Sequence, residues 1–255
     1  MPQPNATPPT WAQHPWIAHR GAGKLAPENT LAAFQLGARH GYRMFECDVK
    51  LSADGVPFLL HDATLERTTN GKGSASDLTW NELTNLDAGS WHSPAFAGEP
   101  LLRLDTLAHW CLEHHMTLNI ELKPSPGDDA RTGMVVAEWA RRLWAGHPPP
   151  LFTSFNPASL AAAQAAAPGI PRGLLLTEWT DDAIFKAKNL SCRTVVGHYS
   201  LWNSQTVSEA SAAHMHTMAY TVNEPLEAAR LRNLGVQGLI TDRVDHFPPQ
   251  AHTIR

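Results

Sequence analysis

The sequence predicts a closed (β/α)8 TIM barrel, in the α/β class. Short β-rich runs recur eight times along the chain, and stretches compatible with helices separate them. No GxGxxG follows the first run, as it would in an open, doubly wound dinucleotide-binding sheet.

The strands are expected at Trp16 to His19, Met44 to Val49, Thr117 to Leu122, Leu151 to Phe155, Gly173 to Leu176, Thr194 to His198, Thr217 to Val222 and Gly238 to Thr241. Helices fit Thr30 to His40, Leu104 to His115, Ala130 to Ala145, Pro157 to Ala167, Ala183 to Asn189, Gln205 to Ala213 and Pro225 to Leu234. Asn29, Asp128, Asn156 and Asn223 stand where N-caps belong.

One interval breaks the repeat, because roughly seventy residues separate the second and third strands, far more than a simple crossover needs. Its first part reads as a hairpin, since Asp54-Gly55 supplies the positive φ of a tight turn between Val49 to Ser52 and Pro57 to His61. The hairpin folds His61 back beside Asp48. The rest of the insertion, which spans about 50–102 in all, is rich in Gly, Trp and His and reads as a cap over the barrel's C-terminal end, where barrel enzymes keep their active sites.

The expected organisation is a mobile tail over residues 1–12 and a single barrel domain over residues 13–255. With 43% hydrophobic and 17% charged residues, the chain is too apolar to be disordered. A formal charge of −4 and the lack of a basic cluster exclude nucleic acid as an expected partner. Cys47, Cys111 and Cys192 are odd in number and widely spaced, which fits buried free thiols in a reducing compartment. No signal peptide or membrane span is read in the sequence, so a cytoplasmic location is expected; the oligomeric state stays open.

The unusual polar residues His19, Arg20, Glu46, Asp48, Glu121 and Lys123 all fall at the C-terminal ends of strands, on one rim. Residues two apart in a strand share a face, so Glu46 projects with Asp48 and Glu121 with Lys123. An isolated Glu-x-Asp is ordinarily an ion-pairing feature, and a lone His is ordinarily structural. Three converging carboxylates, however, repel one another unless a cation sits between them. Oxygen-only ligands select a hard divalent ion, Mg²⁺ or Ca²⁺. Arg20 and Lys123 beside such an ion suit an anionic phosphate, and His19 and His61 add groups that titrate near neutral pH.

At this point the sequence resembles the glycerophosphodiester phosphodiesterase family. The likeness lies in His19-Arg20-Gly21, Pro27-Glu28-Asn29-Thr30, Glu46-Cys47-Asp48, Leu60-His61-Asp62, Leu65-Glu66-Arg67-Thr68-Thr69, Glu121-Leu122-Lys123, Ser154-Phe155, Tyr220-Thr221-Val222-Asn223 and Gly238-Leu239-Ile240-Thr241-Asp242, and is greatest to the cytoplasmic bacterial members tied to glycerol-phosphate uptake. It departs at Leu102 and Val244, where prolines are common.

The resemblance implies a barrel of the PI-phospholipase-C-like phosphodiesterase type, metal ligands Glu46, Asp48 and Glu121, catalytic His19 and His61, and phosphate contacts from Arg20 and Lys123. It also implies hydrolysis of small glycerophosphodiesters to sn-glycerol 3-phosphate and an alcohol, a role in glycerol and lipid metabolism, and attack by the glycerol 2-hydroxyl through a cyclic phosphate. Phe155 and Tyr220, with the inserted Trp80 and Trp91, are pocket-lining candidates that equally fit packing. The alternatives are a phospholipase-like enzyme on a related barrel and a metabolite-binding barrel without turnover.

Overall fold

In the computed structural model, which describes residues 9–249, the first strand is β1 (Trp16–Ala18), followed by helix α1 (Leu31–Arg39) and strand β2 (Met44–Leu51). The insertion contributes β3 (Pro57–Leu59) and the short helix α2 (Trp80–Leu83), and α3 (Leu104–Glu113) returns the chain to the barrel. Strand and helix then alternate through β4 (Thr117–Leu122), α4 (Asp129–Leu143), β5 (Leu151–Ser154), α5 (Pro157–Ala166), β6 (Arg172–Leu176) and α6 (Ala183–Asn189). The series ends with β7 (Thr194–His198), α7 (Ser204–Ala212), β8 (His216–Tyr220), α8 (Pro225–Leu234) and β9 (Gly238–Thr241).

The eight parallel strands run β1-β9-β8-β7-β6-β5-β4-β2, and a β1–β2 pairing, Ala18 opposite Phe45, closes the barrel. Strand β2 is longer than the sequence suggests because β3 pairs antiparallel with its end, placing Val49 opposite Leu59 and Leu51 opposite Pro57. Gly55, at φ 79°, makes the turn.

Alternation along the strands divides the side chains between two cores. Phe45, Cys47, Val49, Leu118, Ile120, Leu122, Phe152 and Val195 pack outward beneath the helices. Ile17, Met44, Leu151, Leu175, Val196, Met218 and Ile240 fill the barrel's interior. Inward positions are therefore Ile17 on β1 and then His19 just past its end, and Met44, Glu46, Asp48 and Lys50 on β2. The apolar members fill the barrel, and the polar ones follow at its C-terminal end.

The segment expected as a tail differs from that expectation where it is described. Thr10–Gln13 form a 3-10 turn, and Trp11 is buried in the interior core, edge-on to His216 at 5.2 Å between ring centroids. Proline, Gln and Asn dominate this segment's composition and obscure one indole whose burial at the N-terminal end of the barrel holds the turn in place. Residues 1–8 of the expected tail lie outside the described residues.

The insertion has its own small core of Phe58, Leu60, Leu65, Ala75, Leu83, Ala88 and Leu101. Trp80 packs against Phe58 in this cap, and the Trp91 indole donates to Ala88 O at 2.8 Å. Neither lines the barrel mouth. Leu102 and Val244, the two departures from proline, are both buried. Among the described residues no helix is long and apolar enough to cross a membrane, and Cys47, Cys111 and Cys192 are buried free thiols.

Candidate active site

The strand phase delivers the functional side chains to a single cavity of about 300 Å³ at the C-terminal end of the barrel. Its lining includes His19, Arg20, Glu46, His61, Glu121, Lys123, Phe155 and Tyr220, with Asn119 and Thr153 deeper in the barrel. Parallel pairing sets Asp48 opposite Glu121, one strand apart. Carboxylate oxygens of Glu46, Asp48 and Glu121 come within 4.8 Å of one another, and all three residues are buried.

Burial and the neighbouring charges of Asp48 and Glu121 hold the Glu46 carboxyl well above the ordinary carboxylate range. Glu121 is likewise pushed up to about 7, chiefly by burial and by Asp48, although Lys123 opposes the shift. Asp48 goes the other way: burial raises it, but Arg20 and Lys123 prevail and keep it ionised. Its Oδ1, buried, has no hydrogen-bond partner, and the nearest ammonium, Lys123 Nζ, is 3.5 Å away. Crowded oxygens, two raised carboxyls and one orphaned buried oxygen fit a divalent cation, and the all-oxygen donor set fits a hard one.

The two cations of the rim are already engaged. Arg20 Nη1 donates to Glu28 Oε1 at 2.8 Å, and its Nε lies 3.2 Å from Asp48 Oδ2. Lys123 Nζ is 2.9 Å from Glu121 Oε1. Burial works against both charges, but Asp48 and its neighbours win, raising Arg20 and Lys123 above their ordinary values. Both stay charged beside the cavity.

Each histidine is oriented by its own aspartate. His19 Nδ1 lies 2.6 Å from Asp242 Oδ1, and Asp242 is held at about 2, with burial overcome by the bond to His19. An ionised carboxylate only accepts, so Nδ1 of His19 carries the proton that bonds Asp242, and Nε2 lies 3.7 Å from Glu46 Oε2. His61 Nδ1 similarly donates to Asp62 Oδ1 at 2.7 Å, in a carboxylate that Arg67 holds well below its usual range. Burial pushes His61 itself below its ordinary value, against the pull of Asp48.

Local structure explains the placement. The hairpin carries His61 back to the rim, with Leu60 N donating to Asp48 O at 3.1 Å. In the His19-Arg20-Gly21 turn, Gly21 has φ 101°, and a Cβ there would stand 2.7 Å from Ala33 Cβ and 2.8 Å from Phe34 N. Only glycine lets this turn lie against α1. Phe155 and Tyr220 meet edge to face at 5.8 Å over the opposite wall, and the Tyr220 hydroxyl donates to Leu176 O at 2.9 Å.

Two expected caps prove to be something else. Thr30, not Asn29, caps α1, and Glu224, not Asn223, precedes α8. Asn29, in the left-handed region at φ 61°, turns inward instead. Its Nδ2 donates to Asp48 Oδ2 at 2.9 Å, and its Oδ1 accepts from Asp48 N at 3.2 Å. Asn223 grips Asp242 in the same two-point way. Asp128 occupies its cap position without a side-chain bond to the helix backbone, whereas Asn156 caps α5 through Ala158 N and Ser159 N.

The sequence reading missed Lys50, and it quoted Asp62, Arg67 and Asp242 only as part of the family likeness, without a role at the site. Lys50 continues the inward phase of Glu46 and Asp48, which was the available signal. Its ammonium donates to the carbonyls of His61 and Lys123, each at 3.3 Å, and burial lowers it to about 8. Asp62 adjoins a candidate histidine. Asp242 is 223 residues from its partner, so nothing local marked it as the aspartate of His19.

Residues 19–246 match the model of the glycerophosphoryl diester phosphodiesterase family. A glycerophosphodiester phosphodiesterase of Caldanaerobacter subterraneus subsp. tengcongensis is 31% identical over 232 residues, 89% of this chain and 93% of the relative. An Oleispira antarctica phosphodiesterase, solved in complex with the product sn-glycerol-3-phosphate, superposes with a TM-score of 0.87 at 35% identity, covering 91% of this chain and 94% of that one. A glycerophosphodiester phosphodiesterase from Agrobacterium tumefaciens gives 0.76 at 29% identity, over 91% and 97% of the two chains. The chain belongs to the glycerophosphoryl diester phosphodiesterase family.

Proposed function

We propose that this enzyme hydrolyses small glycerophosphodiesters to sn-glycerol 3-phosphate and an alcohol, with His19 and His61 as the acid-base pair. The observation that carries the reading is the convergence on one cavity of two aspartate-oriented histidines, two cations and three clustered carboxylates. The sn-glycerol-3-phosphate bound as product in the Oleispira antarctica phosphodiesterase supports the substrate class.

Glu46, Asp48 and Glu121 would hold a divalent cation, Mg²⁺ or Ca²⁺, and the ion would supply positive charge beside the phosphoryl oxygens. Arg20 and Lys123 face the same phosphate and stabilise the negative charge that grows on its oxygens. His19 takes the proton of the glycerol 2-hydroxyl at Nε2, and the hydroxyl oxygen attacks phosphorus. His61 protonates the departing alcohol as the P–O bond breaks. An anionic phosphate in the cavity raises His61 against the effect of burial and favours its acid form. Water then opens the cyclic phosphate, with His61 taking its proton and His19 returning one to the 2-oxygen. Holding the hydroxyl against phosphorus makes the first step unimolecular, a gain that can reach several kcal/mol.

Buried, unpaired thiols at Cys47, Cys111 and Cys192 are compatible with a cytoplasmic setting for this chemistry. The test is to incubate the protein with glycerophosphocholine and a divalent cation and to measure sn-glycerol 3-phosphate. Its release supports the reading, and intact substrate under both Mg²⁺ and Ca²⁺ rejects it.

A further inference from the structure

We infer that Arg67, supplied by the inserted cap, is a positioning residue that holds His61 in its working orientation and couples it to Arg20. The inference rests on the reading of His61 and Arg20 given above. Arg67 Nε and Nη2 donate to the two oxygens of Asp62, at 2.6 and 3.0 Å. Its Nη1 and Nη2 donate to the two oxygens of Glu28, at 2.8 Å each. One guanidinium thus spans two carboxylates with four N–H bonds, a geometry that a lysine ammonium cannot reproduce.

Each carboxylate leads on into the site. Asp62 Oδ1 accepts from His61 Nδ1 at 2.7 Å, which turns Nε2 of the ring away from the cap. Glu28 Oε1 accepts from Arg20 Nη1 at 2.8 Å. The result is one continuous chain, Arg20–Glu28–Arg67–Asp62–His61, running from the phosphate-facing cation to the histidine. It joins the β1–α1 turn to the hairpin's end through a residue that belongs to neither.

A purely structural role fits this geometry less well. The Arg67 side chain is 44% exposed, and exposed ion pairs contribute little stability. The cap has other anchors on the same turn region, since Glu99 Oε1 accepts from Ala32 N at 3.0 Å and His92 Nε2 lies 3.1 Å from Lys24 O. Removing Arg67 leaves those ties in place and frees Asp62 to swing.

The experiment is a double-mutant cycle on kcat for glycerophosphocholine, using Arg67→Ala, His61→Ala and the pair, with Arg67→Lys alongside. Arg67→Ala is expected to lower kcat roughly 10- to 100-fold and to add almost nothing in the His61→Ala background. Arg67→Lys should fall close to Arg67→Ala. Equal losses from Arg67→Ala in both backgrounds, no loss in either, or full rescue by lysine would each overturn the inference. If the alanine variant fails to fold, the same cycle run with Arg67→Lys decides the matter. The acid assignment is read separately, from His61→Ala on a nitrophenyl ester of glycerol phosphate, which needs no protonation to leave. Equal damage on both substrates rejects that assignment, while the cycle still decides whether Arg67 works through His61.

Discussion

Asn223 holds Asp242 at two points: its Nδ2 donates to Oδ2 at 2.9 Å and its Oδ1 accepts from the Asp242 backbone N–H at 2.9 Å, leaving Oδ1 of Asp242 for His19. Replacing Asp242 with Asn should therefore cost kcat more than KM, because an amide can present its NH2 to Nδ1 and favour the wrong tautomer. The loss is expected between about 10-fold and about 10⁴-fold, with Asn223→Ala showing a smaller loss of the same kind. Steady-state kinetics of the two variants check this, and wild-type kcat in Asp242→Asn would contradict it.

Chelation should silence the enzyme, and Glu121→Gln should weaken its response to Mg²⁺ or Ca²⁺. A ligand that binds only the folded state raises the melting temperature. Millimolar cation should accordingly raise Tm in the wild type and raise it less in Glu121→Gln, a readout that does not depend on turnover. An equal rise in both proteins would remove Glu121 from the metal site.

Asn29→Ala should destabilise the fold and loosen the same site. It strips Asp48 of a partner at both Oδ2 and the backbone N–H and puts alanine at φ 61°. A buried group left unpaired costs about 1–3 kcal/mol, so denaturant midpoints should shift by that order. Cation affinity should fall as well, since Asp48 loses the clamp that aims it. An unchanged midpoint with unchanged affinity would show that the clamp has neither role.

A glycerophosphodiester lacking the 2-hydroxyl should bind as an inhibitor and release no alcohol, since the proposed nucleophile is missing. Alcohol release at the normal rate would mean that water attacks phosphorus directly.

Acid should unfold the protein partly through His216. Burial lowers this imidazole from 6.5 to about 4 in the folded chain. Between those values the unfolded chain carries the proton and the folded one does not. Stability from this group is thus complete above about 6.5 and drains away as pH falls toward about 4. Urea melts of wild type and His216→Gln from pH 7.5 to pH 4.5 test it: the variant should lose less stability across that range, and parallel curves would reject the assignment.

Much of this molecule is legible in the chain because strand phase is local. From Met44 onward the period of two assigns Glu46, Asp48 and Lys50 to the inward face and Phe45, Cys47 and Val49 to the helices, before any partner strand is known. The Asp54-Gly55 turn is equally local, and with it the return of His61 to the rim. Eight such units determine the barrel and the end at which its polar residues collect.

The partners of those residues are a different matter. Asn29 and Asn223 stand where helix caps belong, and a side-chain amide that could cap a helix can equally bind a carboxylate. Which it does depends on whether a carboxylate is within reach. Asp48 lies 19 residues from Asn29, and Asp242 lies 223 residues from His19. Closure of the barrel brings β1 beside β9, with Ala18 opposite Thr241, so that the next residue on each strand, His19 and Asp242, meet at the rim. The chain alone determined the inward phase of Glu46, Asp48, Glu121 and Lys123 and the return of His61, because pleat and turn geometry act over a few residues. Tertiary structure alone decided which of them touch, because those hydrogen bonds form between segments that only the closed sheet makes neighbours.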